Sequence, residues 1–177
     1  MAEVRTAHTA ELDSATLGAA RALLDTVFED DFTGDDWDHA LGGLHALVWD
    51  EDELIGHASV VQRRLLHGGR ALRCGYVEAV AVRANRRRRG HGAALMEALE
   101  RVVRAAYALG ALAATGEGAD FYKARGWRQW RGPTSALTPT GIERTEEHDG
   151  GIYVLPIAAP LDVSGELTCD WRGGAVW

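Results

Sequence analysis

Val77-Glu-Ala-Val-Ala-Val-Arg83 followed by Ala84-Asn-Arg-Arg-Arg-Arg-Gly-His-Gly-Ala-Ala-Leu95 is the stretch on which the fold turns. Apart from Glu78, the residues up to Val82 are small, apolar or β-branched, as in a buried strand. After the arginines the apolar residues recur at three and four, at Leu95, Leu99, Val102 and Ala106, which is helical spacing. A strand therefore feeds directly into a long helix through Arg87-Arg88-Arg89-Gly90-His91-Gly92. In that position successive backbone N–H groups and the positive helix end can hold an anion, and glycines let the backbone approach it closely. A glycine-rich loop alone is a weak motif, so its surroundings decide its meaning.

Working outward, Ala111 to Thr115 reads as a strand, Gly118 to Arg125 as a short helix, and Gly126-Trp127 as its stop before another strand. On the other side, Leu44 to Trp49, Leu54 to Leu66 and Arg70 to Arg83 form an antiparallel meander, with turns at Asp50-Glu51-Asp52-Glu53 and His67-Gly68-Gly69. Before it, Leu17, Ala20, Leu24 and Val27 mark an amphipathic helix from Ser14 to Phe28. Thr33-Gly34-Asp35-Asp36 has the form of a capping box, starting a second short helix that ends at Gly42-Gly43. Beyond Pro133 the chain reads as irregular until a strand at Ile152 to Ile157, and then as an irregular tail to Trp177. The expected class is α/β with a mixed α+β character: a central mixed sheet flanked by helices, in one domain spanning residues 1–177.

The chain has 177 residues, 46% of them hydrophobic and 25% charged, an ordinary composition for a folded domain. Its N-terminus lacks the basic start and apolar run of a signal peptide, and no segment approaches about 18 uninterrupted apolar residues, which points to the cytoplasm and away from a membrane. Cys74 and Cys169 are far apart with no CxxC or Cys/His spacing, so buried reduced thiols are expected and no metal. The net charge is −7. Acids gather at residues 29–38 and 143–149 and oppose the Arg86–Arg89 run, a pattern that suits a cationic ligand and equally suits solvated loops and helix starts.

The stretch from Val80 to Leu95 resembles the acetyl-CoA-binding motif of the GNAT acetyltransferase superfamily. Phe121-Tyr122-Lys123-Ala124-Arg125-Gly126-Trp127 is similar to its later motif. A closer resemblance, to the aminoglycoside 2'-N-acetyltransferases, covers nearly the whole chain. It is carried by Gly42-Gly43-Leu44-His45, Gly75-Tyr76-Val77-Glu78 and the ending Cys169-Asp170-Trp171-Arg172-Gly173-Gly174-Ala175-Val176-Trp177. It implies the GNAT fold, acetyl-CoA as donor, an aminoglycoside amine as acceptor, and a homodimer.

The resemblance also implies roles. Val80, Ala81 and Val82 would offer backbone hydrogen bonds to the pantetheine arm, one N–H polarising the thioester carbonyl. Arg87, Arg88, Arg89, Gly90, His91 and Gly92 would hold the phosphates. Attack needs a neutral amine, so a base is called for. Glu78, an ionisable group in an apolar run, needs either a partner or such a task. Tyr122 occupies the position of the acid that reprotonates the departing thiolate, though a tyrosine on a short helix also serves as core. Asp31, Asp36, Glu78, the backbone at Ala79, Ala113, Glu147, His148 and the terminal carboxylate of Trp177 would line the acceptor pocket, where carboxylates make charge-assisted bonds to a polycationic sugar. Asp36 serves equally as the cap of the second helix.

Three positions depart from the family pattern: Ala113 replaces a Ser, His148 an acid and Ala175 an Asp, each removing a polar or anionic contact. Other readings of the same residues are a GNAT enzyme acting on another amino sugar or a cell-wall precursor, an acetyl-CoA or drug-binding module, and a nucleic-acid binder using Arg83 and Arg86–Arg89. The acidic balance and the absence of a broad basic face oppose the last.

Overall fold

Residues 3–114 and 116–177 are described by the computed structural model. They fall into two units, Met1–Val61 with Val77–Val102, and Gln62–Tyr76 with Val103–Trp177. The three crossings lie inside regular elements, so two strands and one helix belong partly to each unit.

The first unit opens with β1 (Glu3–His8), then α1 (Ser14–Phe28), α2 (Gly34–Ala40) and β2 (Leu44–Asp50). It takes β3 (Glu53–His67) up to Val61, β4 (Arg70–Val82) from Val77, and α3 (His91–Ala106) up to Val102. β2 pairs antiparallel with both β1 and β3. The sequence reading missed β1. Its alternation is poor, and pairing with β2 from Glu3↔Trp49 to His8↔Leu44 stabilises it instead.

α1 begins where the Asp13 carboxylate accepts the Thr16 N–H at 2.7 Å, and α2 begins at the expected Thr33–Asp36 capping box. Ala20 and Leu23 of α1 pack on Leu47 and Leu54, with Leu12, Trp37 and Trp49 around them. Each fully buried leucine contributes about 1.5–3 kcal/mol. α3 buries Leu95, Met96, Leu99 and Val103, whereas the expected Val102 is half-buried and Ala106 exposed. The helical period was right and the face was rotated toward the next residue. Leu95 lies over Gly56 of β3, where an added Cβ would come within 3.2 Å of its side chain.

The second unit takes the start of β4, the rest of β3, the last turn of α3, and then β5 (Leu109–Ala113), α4 (Ala119–Ala124), β6 (Arg128–Gln129), β7 (Thr134–Thr138), β8 (Gly141–Arg144), β9 (Ile152–Pro156) and β10 (Leu167–Cys169). Its β4 residues pair parallel with β5, the last pair being Tyr76↔Ala111, and β9 lies antiparallel to β5 and β6. β10 runs parallel to β7 and antiparallel to β3, so the sheet is mixed. β3 and β4 are joined by Gly68-Gly69, both at positive φ (56° and 72°), as a two-residue hairpin turn demands.

Two expectations need correction here. The stretch after Pro133 is not irregular: β7 and β8 form a hairpin, in which the Thr138 hydroxyl donates to the Gly141 carbonyl across the turn. The tail is not irregular throughout either, since β10 fills the place between β3 and β7. The Pro, Thr and Gly content masked both strands. The strand expected over Ala111 to Thr115 is β5, two residues earlier at its start, and Thr115 lies outside the described residues.

Candidate active site

Each unit carries its own share of the expected site. In the first, the β4 alternation breaks at Ala79, whose φ of 50° lies in the left-handed region. A non-glycine residue held there stores about 1–3 kcal/mol and re-aims its neighbours. Glu78, Ala79, Val80 and Val82 are half-buried and Ala81 is buried. Val80 and Val82 are therefore not sealed into a core.

The Ala79 carbonyl is held from below. It accepts from His57 Nδ1 at 2.9 Å, His57 Nε2 meets His45 Nδ1 at 2.9 Å, and His45 Nε2 meets the Thr9 hydroxyl at 2.8 Å. Both imidazoles are fully buried, and burial pushes each down to about 4, so both are neutral at ordinary pH. The sequence reading assigned neither a role. The available signal was a histidine on the inward face of each of two adjacent apolar strands.

Past Val82 the arginines divide by task. Arg83 is paired with Glu53 (3.2 Å) and Arg86 with Asp50 (2.9 Å), which ties the loop to the β2–β3 turn. Arg87 Nε donates to the Val82 carbonyl, while the Arg87, Arg88 and Arg89 side chains are exposed. Gly90 sits at φ 86° before α3, and the Ala94 N–H bonds back to its carbonyl at 3.0 Å. Helix geometry leaves the N–H groups of His91, Gly92 and Ala93 without intrahelical partners. Three exposed guanidinium groups beside such a helix end, with a glycine where a side chain would be strained, fit a polyphosphate. Asp31 is exposed in the turn after α1, and half-buried Asp36 accepts from the Thr33 N–H (2.8 Å) and hydroxyl (2.7 Å). One Asp36 oxygen is thus committed to the cap.

In the second unit Tyr122 is buried on α4 against Trp127, ring centroids 6.2 Å apart, and burial pushes its phenol up to about 12. Gly126 at φ 89° lets the Trp127 N–H return to the Tyr122 carbonyl and close α4. Ala113, Glu147, His148 and Trp177 are gathered. The Ala114 N–H donates to the Gly151 carbonyl and the Gly151 N–H to that of His148, joining the end of β5 to the Glu146–His148 turn. Trp177 is buried and its Nε1 donates to the Thr145 hydroxyl at 2.9 Å. Glu147 is exposed, 3.7 Å from His148 Nε2. Cys74 and Cys169 are buried free thiols, and burial pushes both upward, which makes them inert.

Residues 4–130 match the acetyltransferase (GNAT) domain family. An aminoglycoside 2'-N-acetyltransferase of Mycolicibacterium fortuitum is 52% identical over 177 residues, covering 98% of this chain and 91% of that protein. Among solved structures, Escherichia coli ElaA superposes with a TM-score of 0.63 at 23% identity, over 89% of this chain and 99% of that one. YhbS, a GNAT-family N-acetyltransferase of Escherichia coli solved in complex with CoA, gives 0.64 at 18% identity, over 95% of this chain and 89% of that one. At those identities the likeness is one of fold.

Proposed function

Because the chain belongs to the GNAT acetyltransferases and, among them, to the aminoglycoside 2'-N-acetyltransferases, we propose that it moves the acetyl group of acetyl-CoA to the 2'-amine of an aminoglycoside, which gives resistance to the drug. Its fold is the family's mixed sheet flanked by helices. One observation carries the reading: inside a single unit, the end of β4, strained at Ala79, leads through exposed arginines into the N-terminus of α3.

Bound acetyl-CoA supplies an activated acyl carbon, and the amine attacks it directly. Arg87, Arg88, Arg89 and the N–H groups of Gly90, His91 and Gly92 hold the phosphates. Val80, Ala81 and Val82 bind the pantetheine arm through their backbones. The peptide between Ala79 and Val80 is trans, so with its carbonyl bound by His57 its N–H faces the opposite way. That Val80 N–H polarises the thioester carbonyl. Glu78, beside Ala79, takes a proton from the substrate ammonium, directly or through water, and the neutral amine then attacks. Tyr122, whose phenol burial pushes up to about 12, keeps its proton at ordinary pH and donates to the leaving thiolate. In the first unit Asp31, Asp36, Glu78 and the backbone at Ala79 serve the acceptor, and in the second Glu147, the Trp177 carboxylate, Ala113 and His148 do, the carboxylates through charge-assisted bonds to ammonium groups of the sugar.

Among the described residues no helix is long and apolar enough to cross a membrane, and no three potential metal ligands gather. The enzyme works in the cytoplasm, where its donor is, as one domain per chain and as a homodimer. The exposed Leu137↔Ile142 pair on the β7–β8 hairpin (44% and 58% exposed) supports association. Ala113, His148 and Ala175 favour a second reading, in which the preferred acceptor is another amino sugar or a cell-wall precursor, because each removes a contact to a polycation. CoA release with gentamicin or tobramycin, against kanamycin A, which lacks the 2'-amine, separates the two. Turnover of the first pair alone is expected. Measurable acetyl-CoA binding with no turnover of any of the three would move the acceptor to the second class.

A further inference from the structure

The bonds running from Thr9 to Ala79 have a direction that can be worked out from their ends. At one end the Gly42 N–H, which can only donate, meets the Thr9 hydroxyl oxygen at 2.9 Å. At the other the Ala79 carbonyl, which can only accept, meets His57 Nδ1. His57 must therefore carry its proton on Nδ1 and accept at Nε2. His45 must then donate from Nδ1 and accept at Nε2, and Thr9, whose hydroxyl also lies 3.3 Å from the Gly43 carbonyl, gives its proton to His45 along the shorter 2.8 Å contact. Five groups from four segments form one fully satisfied chain, all polarised toward Ala79.

Both termini are backbone groups that neither gain nor lose protons, so the chain is not a proton relay. Its endpoint is informative: of all the carbonyls on β4 it selects that of the strained residue, Ala79. Donation to a peptide carbonyl fixes the peptide plane and polarises it, which makes the N–H on the far side a better donor. A chain of bonds strengthens each member, so the effect accumulates from Thr9 onward.

We propose that His57, oriented by His45 and Thr9, is a positioning residue for acetyl transfer, holding and polarising the Ala79–Val80 peptide so that the Val80 N–H grips the thioester carbonyl. This rests on the reading above that the Val80 N–H binds that carbonyl. Removing one such donor outright costs about 100- to 1,000-fold in kcat. Loosening it costs less, on the order of 10- to 100-fold, with little change in the acceptor KM.

The test uses the full-length enzyme, tobramycin, and acetyl-CoA carrying ¹³C at the thioester carbonyl, whose bound stretching frequency is read by difference infrared spectroscopy. Wild type should show the stretch lowered relative to solution. His57→Leu should return it toward the solution value and lower kcat by roughly 10- to 100-fold. His57→Asn, which keeps an N–H near the Nδ1 position, should recover most of both. Thr9→Val, at a half-buried site remote from Ala79, should move both in the direction of His57→Leu by a smaller factor, and it serves if the leucine variant does not fold. An unchanged stretch in folded His57→Leu or Thr9→Val overturns the proposal while leaving the Val80 reading intact. Equal loss of kcat in His57→Leu and His57→Asn with no change in stretch would assign the pair a purely structural role and overturn it as well. No lowering in wild type would mean that the Val80 reading itself fails, and the role of His57 with it.

Discussion

The guanidinium of Arg63 donates to the carbonyl of Val176 at 2.7 Å, so the last residues of the chain are anchored to β3. The same group makes a 2.7 Å ion pair with Asp170, donates to the Asp170 carbonyl and lies 4.7 Å over the Tyr76 ring. Its side chain is 4% exposed while that of Asp170 is 39% exposed. The two partners should therefore not be equivalent on removal. Asp170→Ala leaves a buried cation without its anion and should cost about 3–5 kcal/mol. Arg63→Met leaves a carboxylate that water can reach and should cost less. Urea denaturation of the two variants checks the order, and the reverse order would mean that Arg63 is held mainly by its carbonyl and aromatic contacts.

What Arg63 anchors is the terminal tryptophan. The Trp177 indole donates to Thr145, Thr145 to Thr134, and Thr134 to Asp149, whose carboxyl is held well below the usual range mainly by Arg144. Appending one glycine to the C-terminus should keep the ring in place and move only the charge. If the terminal carboxylate binds the sugar, the acceptor KM should rise about tenfold, the worth of one charge-assisted bond of 1.5 kcal/mol or so, with kcat little changed. An unchanged KM would show that the charge faces solvent.

The long elements were legible because a single physical signal fixed each: period for α1 and α3, paired glycines for the β3–β4 turn, and the capping box for α2. β1, β7 and β10 were not, since each pairs with a strand far away in sequence, and β8 was hidden although it pairs with the adjacent β7, because its own composition reads as loop. The catalytic candidates Glu78 and Tyr122 came from motif positions. The His45–His57 pair went unassigned because its meaning lies in where His57 ends, on a carbonyl 22 residues away.

Those two histidines also set a pH dependence of stability. Each is ordinary in the unfolded chain, near 6.5, and held down to about 4 when folded, chiefly by burial. The unfolded state therefore binds more protons between those values, and stability must fall as pH falls through that window. It is fully present above about 6.5 and lost progressively toward 4. A His45→Leu, His57→Leu double variant, if folded, should have a flatter profile of unfolding free energy from pH 7 to 4. Profiles of equal steepness would place the acid-sensitive groups elsewhere, for example among the carboxylates.

Tyr122 is the group to test on the alkaline side, through the rate rather than through stability. Its phenol is held up to about 12 by burial, above an ordinary thiol near 8.5. It meets the departing thiolate as a hydrogen-bond donor, and full proton transfer to it is uphill at the start. Tyr122→Phe removes only the hydroxyl and retains the ring against Trp127. It should lower kcat by about 10- to 100-fold, within or just below the range of a positioned acid, while the thermal midpoint changes little. Because the phenol does not ionise between pH 7 and 10, the wild-type rate should show no falling limb there that disappears in the phenylalanine variant. Such a limb would mean that Tyr122 titrates near neutrality in the working complex, and that it acts by giving up its proton rather than by sharing it.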